Sequence, residues 1–299
     1  MHKPVKQHYV PQVYLRFFAL KREKIWETCV IDKKNNTTYF TDVKNVAFEK
    51  NFYTVDKLGD KKYVFEEYYS KQIEPLISQT FKRFIQECTL IFTKDRGVVI
   101  NREFRTVFSK IIITQLLRTP KARAHQHNVG ADIFPFIIKE TIKGLDQYLK
   151  EDQKKYINAL TINDIFKEAD MEFITDPARI NKFAKFIYDK IWIVYRNDNY
   201  KINPFATSDH PIVQYNVLTS DTTFEKNGIR NPDTIISFPI SPQLILSVYD
   251  RNNPRFSLME YLDGSIVFLD NVNDEKYLIE MNKLQYEQCV QHVYFKPFK

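Results

Sequence analysis

Three segments carry side chains whose types and spacing can do chemistry. The first is Gln7-His8-Tyr9-Val10-Pro11-Gln12. Pro11 suits the first turn of a short helix, and the N–H groups and dipole of a helix N-terminus favour an anion beside His8. A neutral imidazole there can ligate a metal or exchange a proton near neutral pH. The bland alternative is a histidine that bonds a backbone carbonyl and fastens the terminus. The second segment, Gln115-Leu116-Leu117-Arg118-Thr119-Pro120-Lys121-Ala122-Arg123, sets two arginines around a helix break. Planar guanidinium groups recognise phosphate or carboxylate in a bidentate way that lysine does not reproduce. Helix capping and a surface ion pair would occupy the same residues without any function. The third, Thr207-Ser208-Asp209-His210-Pro211, lies between apolar stretches and reads as a loop at a strand end. Loops braced by a sheet concentrate catalytic groups, and Asp209 can hold a metal or orient a base there. An aspartate just before a proline is equally a turn-maker.

Several familiar machines are excluded. The chain has only 6 glycines in 299 residues, and they form neither a dinucleotide fingerprint nor a P-loop. No G-x-S-x-G elbow and no H-E-x-x-H zinc helix occurs. Asp32-Lys33-Lys34 and Asp60-Lys61-Lys62 resemble half of a nuclease core but read as solvated turns in so lysine-rich a chain. His125 and His127 fall in a predicted helix, where that spacing turns the rings apart. A net charge of +7 favours anionic partners, softened by 37 acidic residues beside 44 basic ones. The 3 cysteines offer no disulfide framework and no paired zinc spacing, which fits a reducing compartment. No signal peptide or membrane span is evident, so a cytoplasmic protein without a membrane partner is expected.

The elements that must position these segments follow from periodicity. Tyr14, Phe17 and Phe18 share one face of a short helix after Pro11, so the start of the chain should dock into the fold. Residues 26–31 and 37–40 read as a β-hairpin, and 52–55 as another short strand. Phe65 to Cys88 keeps a helical period, with a kink or break expected at Pro75. Asn101 should cap a helix to about Leu117; a second helical run should follow to about Leu149; and Asp176-Pro177 should open another to about Lys190. Beyond that, residues 191–195, 205–207, 212–214, 234–238 and 244–248 look like strands, and a helix should close the chain from about Asp274 to His292. The expected class is α+β: a helix-rich N-terminal two-thirds with a small hairpin, a mostly antiparallel sheet after about residue 190, and a closing helix. All 299 residues should form a single large domain, with a soft division near 190.

These segments also carry a family likeness. His8-Tyr9-Val10-Pro11-Gln12 followed by Tyr14-Leu15-Arg16 and Phe18, then Asn51-Phe52-Tyr53-Thr54, Arg118-Thr119-Pro120 with Arg123, Ser208-Asp209 with Pro211, and Pro239-Ile240-Ser241-Pro242 resemble a largely bacterial family known as domain of unknown function 4238. The resemblance spans nearly the whole chain. It implies that His8, Gln12, Arg118, Asp209 and one acidic residue of the Glu66-Glu67 pair share one pocket. The expected function is then a hydrolase or nuclease acting on phosphodiesters, by analogy in a bacterial toxin or defence setting. His8, Gln12, Glu66 and Asp209 would be catalytic, and Arg118 and Arg123 would bind substrate. His8, Glu66 and Asp209 would either hold a divalent metal or supply acid–base groups without one. The alternatives are a non-catalytic module that binds nucleic acid or a nucleotide through Arg118, Lys121 and Arg123, and a purely structural buried polar network.

Overall fold

The start of the chain is apolar because it is inside. The structure, a computed structural model, describes residues 6–91, 97, 99–125, 128, 140, 143–145, 148–153, 171–223, 226–269 and 272–298. Lys6–His8 (β1) leads into Gln12–Leu15 (α1) and a 3₁₀ turn over Arg16–Phe18. Leu20–Arg22 (β2), Ile25–Asp32 (β3) and Thr37–Asp42 (β4) follow, with the expected hairpin between β3 and β4. Asp32 closes that hairpin: its Oδ1 accepts the N–H groups of Lys34 and Asn35, both at 3.0 Å. It is a turn residue, as its sequence context predicts. The strand expected at 52–55 is instead a turn, and Phe48–Lys50 (β5) pairs with β1 just before it. Asn51 explains the difference, because its left-handed φ of 54° ends extended pairing at that point.

The long amphipathic helix is interrupted where a disturbance is expected, by a different device. Val64–Tyr68 (α2) passes through a π turn over Tyr69–Ile73 into Glu74–Thr89 (α3). Pro75 follows this π turn just after Glu74. Because the residues before it are already helical, the π turn is where the hydrogen-bond ladder adjusts to the N–H that proline lacks. Arg102–Leu117 (α4) is capped by Asn101, whose Oδ1 accepts from the Phe104 N–H at 2.9 Å. The helix restarts over residues 120–125. Most of the second helical run expected to about Leu149, His127 included, lies outside the described residues. Pro177–Tyr188 (α5) opens as expected, with Asp176 capping and proline at its start.

Ile191–Asn197 (β6), Thr207–Ser208 (β7), Val213–Asn216 (β8), Thr234–Ser241 (β9) and Leu244–Tyr249 (β10) supply the strands expected in the last third, and Ile266–Leu269 (β11) is one not expected from the sequence. The order β11-β6-β10-β9-β8 is antiparallel except for the parallel β11–β6 pair. Every residue of β9 and β10 is buried, so both faces of this sheet are covered. Trp192 and Val194 face the large core built with α3, α4 and α5, while Ile191 and Ile193 face a second cluster with Tyr249 and Phe256.

Val272–Gln288 (α6) does not close the described chain. His292–Phe295 (β12) follows and inserts between β3 and β7, so the N-terminal hairpin belongs to a sheet of order β2-β3-β12-β7 with β4 on its far side. The expected closing helix is thus corrected to a helix followed by a strand. No helix among the described residues is long and apolar enough to cross a membrane.

Candidate functional site

The terminus is held by its polar side chains as much as by its apolar ones. Gln7 is fully buried; its Nε2 donates to Thr54 Oγ1 at 2.9 Å and its Oε1 accepts from the Tyr53 N–H at 2.6 Å. Tyr14 donates to the Pro239 carbonyl at 2.7 Å and lies 2.6 Å from Thr207 Oγ1, tying α1 to the strands of the last third. Gln115 on α4 donates to the Tyr9 carbonyl at 3.0 Å. These bonds fix the position of His8 and present its carbonyl to the end of α4.

Arg118 occupies that end, as the residue after α4, and is only 1% exposed. Its Nε donates to the Tyr53 hydroxyl at 2.9 Å and its Nη2 to the His8 carbonyl at 2.6 Å. The guanidinium lies 4.2 Å from the Tyr69 ring centre and 5.5 Å from that of Tyr53. Its Nη1 is buried and has no hydrogen-bond partner, and the same holds for His8 Nε2 and for Gln115 Oε1 one helical turn earlier. Buried polar atoms are rarely left unpaired in native proteins, so three together call for an explanation. Gln12 Nε2 lies 3.4 Å from His8 Nδ1, which orients the ring.

Two half-buried carboxylates complete this centre. Glu66 on α2 and Glu74 at the start of α3 both feel the Arg118 charge, and Glu74 Oε1 is 4.0 Å from Arg118 Nη2. On an unbroken α-helix these two positions would be about 80° apart; the extra residue spent in the π turn brings them to within about 20°. Tyr69, under the guanidinium, is the first residue of that turn. Glu67 instead points outward and pairs with Lys71 at 2.9 Å, so Glu66 is the member of the Glu66-Glu67 pair that feels Arg118.

Burial sets the protonation states. It pushes the Glu66 carboxyl up to about 7 against the opposing pull of Arg118, and the Glu74 charge adds to the rise. Glu74 is also raised by burial, with Arg118 and Arg16 opposing. Desolvation lowers His8 to about 4, partly offset by the Lys44 main chain, so its ring is neutral at pH 7. The centre therefore holds a permanent cation, a carboxyl poised between its two states, and a neutral imidazole.

Asp209 is placed elsewhere. Its Oδ1 accepts from the Val290 N–H at 2.7 Å, and its Oδ2 from the Gln291 and His292 N–H groups at 2.7 and 2.8 Å. Burial raises its pKa and these three bonds oppose the rise. It lines a cleft of about 320 Å³ with Tyr9, Glu49 and His292, a cleft that His8 does not reach. The single pocket expected for His8, Gln12, Glu66, Arg118 and Asp209 is thus divided: the first four meet, and Asp209 binds the turn before β12. The metal set expected from His8, Glu66 and Asp209 is not assembled. Among the described residues, no three His, Cys, Asp or Glu side chains are grouped to hold a metal. His210 is fully buried, with Nδ1 3.0 Å from Thr119 Oγ1, and burial lowers it to about 3. Arg123 donates to the Phe52 carbonyl at 3.1 Å with its guanidinium 3.7 Å from the Phe52 ring centre, so it braces the loop that carries Tyr53. Lys121 donates to the Gln288 carbonyl at 3.1 Å near the end of α6.

Sequence reasoning missed Glu74, Tyr53 and Tyr69. Glu74-Pro75 carries the only hint, a carboxylate at a helix start whose proline marks an irregularity. Neither the curated proteins nor the solved structures contain a match to this chain. The model of a family described as "Protein of unknown function (DUF4238)" does match, over residues 6–299, and with nearly the whole chain covered the protein belongs to that family.

Proposed function

We propose that this protein hydrolyses phosphodiesters at the Arg118 centre, by acid–base catalysis. The observation that carries this reading is a fully buried guanidinium with a free Nη1, set beside a carboxyl that titrates near 7. Nη1 and the bound face of Arg118 hold a non-bridging phosphoryl oxygen and offset the charge that develops there. With the Gln12 amide turned so that its Oε1 accepts from the Nδ1–H of the ring, His8 Nε2 carries the lone pair and accepts a proton from the attacking water. Protonated Glu66 delivers its proton to the leaving oxygen as the bond from phosphorus to that oxygen breaks. Glu74 keeps that proton on Glu66 by raising the cost of a second negative charge.

The test is cleavage of labelled RNA, labelled DNA and bis(p-nitrophenyl) phosphate by the wild type and by Arg118→Met, His8→Ala and Asp209→Ala. The first two variants should lose activity and the third should keep it per folded molecule. Binding of nucleic acid without cleavage by the wild type would replace this reading with that of a binding module. Loss of viability on expression in a bacterium, relieved by Arg118→Met, would support a toxin or defence setting.

A further inference from the structure

A larger cleft, of about 550 Å³, opens on the other side of the 3₁₀ turn that follows α1. Four cations reach it from four different elements: Arg16, Lys21 on β2, Lys82 on α3, and Lys296 just past β12. No Asp or Glu contributes to its described wall. Some cations elsewhere are paired with carboxylates. Arg83, next to Lys82 on the same helix, meets Glu87 and Glu103 at 2.9 and 2.7 Å, and Arg105 and Arg251 share Asp263. None of the four cleft cations forms an ion pair with a carboxylate among the described residues. Gathering like charges around a concave surface is costly unless an anion collects there. Burial also lowers the pKa of Lys296, which marks a cation drawn partly out of water.

The cleft has an aromatic wall as well. Trp26 on β3 is half-buried within it, with the Arg16 guanidinium 5.8 Å and the Lys21 ammonium 5.9 Å from its ring centre. We propose that this cleft binds a nucleoside phosphate, its phosphates among the four cations and its base against Trp26. The volume fits one small ligand, in the range of about 300–1,000 Å³ typical of such sites. Phe17 and Tyr200 line the same cleft as Trp26, but its volume holds one nucleotide, whereas a strand needs successive platforms along an extended groove. This site is distinct from the Arg118 centre and does not depend on hydrolysis there. The two share a charge, since Arg16 is also the second cation felt by Glu74.

Isothermal titration calorimetry of the full chain with ATP, AMP, inorganic tripolyphosphate and a short oligothymidylate tests the proposal. ATP should saturate a single site, and the double variant Lys82→Ala, Lys296→Ala should weaken it by at least about tenfold. Trp26→Leu should weaken ATP by about tenfold while leaving tripolyphosphate unchanged. Circular dichroism melting confirms that each variant is folded, and a variant that melts early is replaced by Lys82→Gln, whose site is exposed. Absence of saturable ATP binding below about 1 mM would overturn the proposal. So would cation variants that bind ATP as the wild type does, or a Trp26 variant that weakens both ligands equally. Oligothymidylate binding much more tightly than ATP would overturn it in favour of a strand-binding groove.

Discussion

Arg118 and Asp209 are both buried ions near the same docked terminus, and they are treated in opposite ways. Asp209 is saturated: three main-chain N–H groups at 2.7–2.8 Å take up its oxygens. Arg118 has two of its nitrogens engaged and a third left buried without a partner, beside an imidazole nitrogen in the same condition. A saturated ion fastens two parts of a fold together, because its removal strands the groups that faced it. An unsaturated one carries an energetic debt that a ligand can cancel. Burial and charge alone do not separate the two cases; the census of partners does.

Substitutions at five positions test this contrast. The largest effect is expected for Arg118→Met, which should lower kcat/KM on a phosphodiester by about 10³-fold, with Arg118→Lys recovering only a minor part because an ammonium lacks the planar fork. Asp209→Ala comes next: it should cost about 3 kcal/mol in urea unfolding and leave kcat per folded molecule unchanged. A variant that melted normally but lost activity would place Asp209 with the catalytic group and dissolve the contrast.

Glu66→Gln should reduce activity by about 10²-fold and remove the pH–rate limb near 7. It also changes stability with a defined sign. Folded Glu66 keeps its proton up to about 7, whereas the unfolded carboxyl loses it near its ordinary 4.5, so the wild type loses stability as pH rises through that window. The variant should lack this loss and gain about 1–2 kcal/mol on the wild type between pH 4.5 and pH 8, allowing for solvent around a half-buried group. His8 acts in the opposite direction. Its folded pKa is depressed from 6.5 to about 4, so its contribution is lost as pH falls through that range, and His8→Ala should flatten the acid side. The smallest effect is expected for Gln12→Ala, about a fivefold loss in kcat with little change in melting, since it acts only by orienting the His8 ring.

Much of the scaffold was legible because local rules decided it. Asn101 and Asp176-Pro177 mark helix starts through short-range bonds, and both caps are present. The docked terminus was legible from Tyr14 and Phe18, which no exposed segment would place on one face. The strand expected at 52–55 failed because a single left-handed residue, Asn51, overrides the strand propensity of Phe-Tyr-Thr. The four-residue strand β12 is too short to announce itself and gains its stability from β3 and β7. At the site, His8, Gln12 and Arg118 were legible as polar groups in apolar settings. Glu74 was not, because its alignment with Glu66 requires a π turn that breaks the period by which helical faces are read. Nor could spacing tell whether Asp209 would face a cleft or the N–H groups of a turn about 80 residues later.

The insertion of β12 between β3 and β7 has a consequence for biosynthesis. His292 pairs with Asp32, about 260 residues away in sequence. A nascent chain leaving the ribosome can form the β3–β4 hairpin within moments, but the part of the β3 edge that takes β12 must then wait for residues 292–295 to be synthesised. Such an edge is a template for illicit pairing between neighbouring chains on a polysome. The turn that meets Asp209 is made at the same stage, so the carboxylate is a latch that can engage only once synthesis has passed residue 292. A holdase chaperone that shields β3 until β12 is available should therefore raise the yield of folded protein more than one that assists the helices.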